Sequence, residues 1–212
     1  MKPPKYVGDG KVRSLLETAG CPVPFHVVRV RFMGNIASPI PEASPLRLIE
    51  DLWPEGLPDF QHRNEVNHLL GALMGLWNHL AKHQKRSKPF KLTRQPRLAT
   101  RADIAEFLAV RCQEIEGFLD GLYDGRESLD LPDAVIEELD SLAESFAVLS
   151  GTRNVAGDET VPGTSADVTG LIGTIRDVDP ILTTQLNAII QGCVAFRREM
   201  LAANDTEPHT VH

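Results

Sequence analysis

The chain has 212 residues, 42% of them hydrophobic and 24% charged, with a formal net charge of −7 at pH 7. That length is enough for one buried core, and the net negative charge argues against nucleic-acid binding by bulk electrostatics. No apolar run reaches the roughly 18 residues of a transmembrane helix, and the opening Met1–Gly10 lacks the apolar stretch of a signal peptide, so the expected address is the cytoplasm.

The strand signal is weak. Val28, Val30 and Phe32 alternate, but Pro22 and Pro24 precede them and Met33-Gly-Asn-Ile-Ala follows. A helix opened by Pro24 fits better. Pro39, Pro41 and Pro45 then break the chain. Ser44 and Pro45 can start a short helix running to about Trp53, which Pro54 and Pro58 end.

Phe60–Gln84 is the clearest helical pattern. Val66, Leu70, Leu73, Trp77 and Leu80 form one apolar stripe, and Gly71 and Gly75 fall on the other side. Thr100–Tyr123 is the second. Thr100 is the expected N-cap, with Asp103 in the first turn. Ile104, Leu108, Cys112, Ile115, Leu119 and Leu122 form its stripe, and Gly125 ends it. Gly117 and Gly121 again lie off that stripe. The paired glycines predict close approach of a neighbouring backbone, either between these two helices or of each against a third.

Pro132 marks a further helix start, with a stripe of Ile136, Leu139, Leu142, Phe146 and Leu149 that Gly151 stops. The segment 150–165 reads as a loop or linker. Ser165 can cap a helix carrying Val168, Leu171, Ile172 and Ile175. Asp179-Pro180 either restarts it or kinks one long helix, which continues through Leu182, Leu186, Ile189, Cys193 and Met200. The expected fold is all-α, a single bundle-like domain of about six to eight helices. Its organisation is a helical domain over 1–149, the linker 150–165, helices over 166–203 on the same domain, and a frayed tail over 204–212.

Charge is segregated along the chain. Lys82, Lys85, Arg86, Lys88, Lys91, Arg94, Arg97 and Arg101 follow one another with no acidic residue between them. From Asp103 to Glu144 the chain is acidic, and Arg111 and Arg126 are its basic residues. One reading is a solvated loop that folds back on the acidic helical face near Glu106, Glu114 and Glu116. The sharper reading is a docking patch for an acidic protein or for RNA. Phe90 is the one aromatic in this run, so base stacking has little support.

Histidines give the second reading. His68, His79 and His83 share one helix face, and His79 and His83 have the i, i+4 spacing that can chelate a metal. A metal-dependent enzyme or metal-binding protein built on that face is the alternative function. Zinc needs three or four protein ligands, however, and Leu80, Ala81 and Lys82 supply no HExxH glutamate. Glu114, Glu116 and Asp120 read as a solvated face. Cys21, Cys112 and Cys193 are isolated, lack CxxC spacing and read as reduced, mostly buried thiols. Trp53 and Trp77 read as core or interface anchors. No catalytic, cofactor-binding or metal residue is assigned.

The run Phe32-Met-Gly-Asn-Ile-Ala-Ser-Pro-Ile-Pro-Glu-Ala-Ser-Pro-Leu-Arg-Leu-Ile-Glu-Asp-Leu-Trp resembles a stretch of the YecA/YgfB-like bacterial proteins. Leu73-Met-Gly-Leu-Trp-Asn-His-Leu-Ala and Gly117-Phe-Leu-Asp-Gly-Leu are similar to two of that family's helices. The resemblance covers 32–149. It implies an all-α fold and a family largely without assigned biochemistry. Many of its members end in a Cys-rich zinc-binding tail, which this sequence lacks, and Asn35 departs from the apolar pattern after Gly34. The leading expectation is a non-enzymatic interaction or regulatory module whose partner binds Lys82–Arg97; an RNA-contacting regulator using 82–101 is its variant.

Overall fold

A computed structural model describes residues 3–40, 43–58, 60, 62–158 and 165–205. Seven α-helices and one 3-10 turn account for its regular structure, and there is no strand among the described residues. In chain order they are α1 (Asp9–Thr18), α2 (Phe25–Ala37), α3 (Pro45–Glu50), α4 (Arg63–Leu80), the 3-10 turn Ala81–Gln84, α5 (Arg101–Tyr123), α6 (Asp133–Gly157) and α7 (Ser165–Asp205). The all-α expectation holds, and the weak alternation at Val28, Val30 and Phe32 lies within α2.

The centre of the molecule is the pair α2–α5. On α2 every residue from Phe32 to Ala37 is buried. On α5 Ile104, Phe107, Leu108, Arg111, Cys112, Glu114, Ile115, Gly117, Phe118, Gly121 and Leu122 are buried, far more than one stripe. A helix covered on several faces loses its amphipathic signature. Here α2 covers one side of α5 and α6 another, α4 and α1 lie beyond α2, and α7 closes over α6 and α2.

Glycine permits that central contact. A Cβ on Gly34 would collide with the backbone carbonyl of Phe118, and one on Gly121 with the backbone carbonyl of Arg31. At Gly117 it would lie 2.9 Å from Cγ1 of Val27. So the α5 glycine pair does mark close packing, against α2 rather than α4. The α4 pair divides. A Cβ on Gly75 would lie 2.6 Å from the Lys5 carbonyl oxygen in the N-terminal segment, whereas Gly71 faces open space.

Several boundaries and faces move from the expected ones. α1 has no counterpart among the expected elements, because it buries only Val12 and Leu16. The buried face of α4 is Leu69, Ala72, Leu73, Gly75, Leu76 and Leu80. Val66, Leu70 and Trp77 are only partly buried. α6 runs through Gly151 to Gly157, so half of the expected linker 150–165 is helix; 159–164 lie outside the described residues. The helix survives Gly151 because a single helical glycine costs only about 1 kcal/mol and Ala156 still buries beyond it. α7 is one helix with Pro180 inside it, which settles the Asp179-Pro180 alternative in favour of continuity. Most of the expected tail 204–212 is outside the described residues, although α7 reaches Asp205.

Termini follow the sequence where local chemistry is strong. Thr100 Oγ1 accepts the Asp103 N–H at 3.1 Å, and the Asp103 carboxylate accepts the Thr100 N–H at 2.9 Å. This reciprocal box satisfies orphan donors at the α5 start. Hydrogen bonds from the Ala99 and Thr100 backbone and the Thr100 side chain hold the Asp103 carboxyl below its usual range. At the other end Asp124 and Gly125 take left-handed backbone, φ 48° and 76°, and stop the helix. Trp53 is buried, and its indole N–H donates to the Ala19 carbonyl at 3.2 Å.

Candidate functional site

The basic segment between α4 and α5 has no regular structure from Lys85 to Thr100, yet it is tied down at several points. Phe90 is 1% exposed and acts as its plug. The Phe90 N–H donates to Asn187 Oδ1 at 2.7 Å, and Asn187 Nδ2 donates back to the Phe90 carbonyl at 3.0 Å. The Arg29 guanidinium lies 5.5 Å over the Phe90 ring and donates to the Lys91 carbonyl at 3.1 Å. Gln191 Nε2 donates to the His83 carbonyl at 3.3 Å. Backbone polar groups in a half-buried loop need such partners.

Beneath the loop sits an ion cluster with a buried pair at its centre. Arg111 and Glu114 are paired at 2% and 0% side-chain exposure, and Arg111 Nε donates to Asp179 of α7. Its Nη2 donates to the Thr93 carbonyl at 2.7 Å. Glu114 Oε1 accepts the Thr93 N–H at 2.8 Å and the Thr93 hydroxyl at 2.6 Å. The guanidinium also lies 4.7 Å over the Phe107 ring. Glu114 is therefore not part of a solvated face, and Asp179 serves as a carboxylate for Arg111 rather than as a helix cap. The signal for this cluster was present in the sequence. Arg111 falls within about 20° of Ile104 around the helix, which places a cation on the apolar stripe with Glu114 one turn on.

The loop's cations point the other way. Lys82, Lys85, Arg86, Lys88, Lys91, Arg94 and Arg97 are all exposed. Their side chains make no hydrogen bond or ion pair among the described residues. The expected fold-back onto Glu106, Glu114 and Glu116 does not occur: Glu114 is taken by Arg111 and Thr93, and Glu106 and Glu116 remain exposed. Arg101 differs from the others. Its guanidinium donates to the carbonyls of Ala156 (3.2 Å), Val155 and Asp158 (3.0 Å), where the end of α6 leaves acceptors unmet.

The chain matches no family model, no curated protein and no solved structure.

The histidine face has structural tasks. His79 stacks on Tyr6 with ring centroids 4.0 Å apart. Burial, then Lys82 and His83 nearby, hold its imidazole below the usual histidine range. His83 uses Nδ1–H to reach the Lys88 carbonyl at 2.9 Å and packs edge-on against Phe90. His68 precedes His79 by eleven residues, about 16 Å along a helix at 1.5 Å per residue. No group of three or more His, Cys, Asp or Glu side chains that could hold a metal occurs among the described residues. Cys112 and Cys193 are buried and Cys21 half-buried; burial raises all three thiols, Cys193 to about 12. None has the depressed pKa of a nucleophilic thiol.

Two other hollows add less. A cleft of about 490 Å³ is lined by Arg31, Arg47, Asp51, Asp120 and Tyr123. Its charges alternate, and Arg31 and Asp120 pair at 2.9 Å, so neither ligand sign is favoured. A smaller cavity of about 270 Å³ lies beside Asn35, Trp77, Gln84 and Arg197. Neither polar atom of the Asn35 side chain has a partner among the described residues, although the residue is 1% exposed. An unpaired buried amide costs about 1–3 kcal/mol. Asn35→Leu should therefore raise the urea midpoint. A lower midpoint would mean that the carboxamide is satisfied by something bound in solution.

Proposed function

We propose that this protein is a non-enzymatic helical module, of YecA/YgfB-like kind, that docks an acidic protein partner on Lys82–Arg97. One observation carries the reading. The loop backbone is fixed by buried side chains while its seven cations, Lys82, Lys85, Arg86, Lys88, Lys91, Arg94 and Arg97, stay exposed and unpaired among the described residues. A solvated loop with no task needs no such anchoring. A docking surface gains from it, because a preorganised surface loses less conformational entropy on binding. Protein is favoured over RNA, since the one aromatic of the segment, Phe90, is buried and offers no stacking face.

The test uses a fluorescein-labelled polyglutamate peptide and fluorescence anisotropy. Binding should weaken as salt rises, because exposed charges are screened beyond about 10 Å at 0.1 M. Replacing Lys85, Arg86, Lys88 and Lys91 together by Ser should weaken binding about tenfold or more, and leave the thermal midpoint nearly unchanged, because surface positions without partners contribute within about 0.5 kcal/mol. Equal binding by the quadruple variant at low salt would sink the reading. A large loss of stability would show instead that the cations neutralise the protein's own acidic face.

A further inference from the structure

Beside the loop runs a second feature that sequence patterning does not reveal. It is a groove of about 520 Å³ between α6 and α7, with Arg86 and Pro89 of the loop at its rim. Its walls are mainly apolar and short. Ala134 comes from α6, Ala188 and Ala195 from α7. Val135 of α6 packs so closely on Gly192 of α7 that a Cβ there would lie 2.5 Å from Val135 Cγ2. Next to that contact the alanines leave the space unfilled.

The groove and the basic loop form one surface. Asn187 and Gln191 line the groove, and the same two side chains bond the loop backbone at Phe90 and His83. The turn at the rim, closed by the Lys88 N–H donating to the Lys85 carbonyl at 2.8 Å, presents Lys85, Arg86 and Lys88 together. The groove's acidic residue, Glu138, belongs to α6, so charge along it runs from basic at the loop to acidic on the α6 side.

We infer that this groove seats an acidic amphipathic segment of a partner protein. Its apolar side chains lie between α6 and α7, and its carboxylates meet Lys85, Arg86 and Lys88. Charge complementarity selects this occupant: a basic segment would meet the cations of the rim, and a purely acidic chain would leave the apolar walls uncovered. A short helix with apolar residues at i, i+4 and i+7 presents a stripe of the required kind. The inference rests on the docking function proposed above and adds to it the groove, the apolar anchor and the polarity of the bound segment.

The experiment compares three synthetic peptides by fluorescence anisotropy at low salt. One carries Leu at i, i+4 and i+7 and Glu on its other face; the second has Ser for Leu; the third has Lys for Glu. The groove variants are Thr184→Glu and Ala195→Trp, both at exposed positions lining the groove. The Leu/Glu peptide should bind, and either the Ser peptide or either groove variant should weaken binding by about tenfold, the order expected for losing a buried apolar anchor. The Lys peptide should not bind. Undiminished binding of the Ser peptide, or of the Leu/Glu peptide to both groove variants, overturns the groove while leaving loop docking intact. Absence of binding by the Leu/Glu peptide while polyglutamate binds would overturn the groove, and absence of binding by both would overturn the groove and the loop docking together. A single-stranded RNA that binds more tightly than the Leu/Glu peptide, and releases from the quadruple loop variant, would replace the protein partner by nucleic acid.

Discussion

Gly121→Ala should cost about 3 kcal/mol or more of folding stability, at or above the upper end of ordinary overpacking. The new Cβ would collide with the backbone carbonyl of Arg31. A side chain can rotate away from such a clash, but a helix carbonyl cannot without breaking its own hydrogen bond. α2 and α5 would have to separate, and they are the two helices that every other layer packs on. Gly34→Ala should behave alike, since its Cβ would meet the Phe118 carbonyl from the opposite side. Gly71→Ala is the control. It sits within α4, faces open space, and should gain about 0.5–1 kcal/mol from helix propensity. Urea denaturation reads all three. An unchanged midpoint for Gly121→Ala would mean that the two helices do not meet at this distance.

Glu114→Ala should cost about 3–5 kcal/mol, the usual price of leaving a buried charge without its partner. Arg111 would keep Asp179 but lose the fully buried half of its compensation, and Thr93 would lose two hydrogen bonds. The second effect is local. Thr93 lies in the middle of the basic loop, so its release should open Lys91, Arg94 and Arg97 to trypsin. The double variant Arg111→Met, Glu114→Leu separates the two effects. Replacing a buried pair with apolar residues often restores stability. The global midpoint should therefore recover while trypsin still cuts the loop quickly, because local opening is set by local contacts. Slow cleavage in the double variant would show that Thr93 does not hold the loop.

Such an outcome bears on the docking surface. The surface depends on a few inward polar groups, Glu114 and Asn187 above all, rather than on the cations that would contact a partner. The double variant should thus bind the acidic peptide more weakly than wild type, although its cations are intact, because an unanchored loop must be ordered on binding.

Much of the helical fold was legible in the sequence because helix periodicity and end chemistry are local. Thr100 with Asp103, Ser44 with Pro45, and Pro24 all mark the helix starts that form. Prediction weakened where burial was not one-sided. α5 is covered on several faces, so a single stripe of Ile104, Leu108, Cys112, Ile115, Leu119 and Leu122 describes only part of it, and Glu114, polar by type, is buried off that stripe. On α4 the buried face is rotated from the expected stripe, sharing Leu73 and Leu80 with it while Val66, Leu70 and Trp77 lie at its margin. Its leucines allow two overlapping stripes, and Leu69, Leu73, Leu76 and Leu80 won because α2 and α1 lie on that side. α1 leaves too short a pattern to be legible, because it buries a single pair, Val12 and Leu16.

By itself the sequence determined the helical class, several helix starts, the presence of a glycine pair off the apolar stripe of both α4 and α5, and the segregation of charge at Lys82–Arg97. These depend on residues near one another in the chain, where periodicity, cap chemistry and charge counting apply directly. Only the tertiary structure decided what each glycine meets, that Gly71 faces open space, and that the cations face outward, unpaired among the described residues. It alone brought Thr93, Arg111, Glu114 and Asp179 into one cluster, and Arg86 to the rim of the groove between α6 and α7. The physical reason is sequence separation. A hydrogen bond from Phe90 to Asn187, 97 residues away, leaves no periodic trace, because no local rule links a loop amide to a distant helix face.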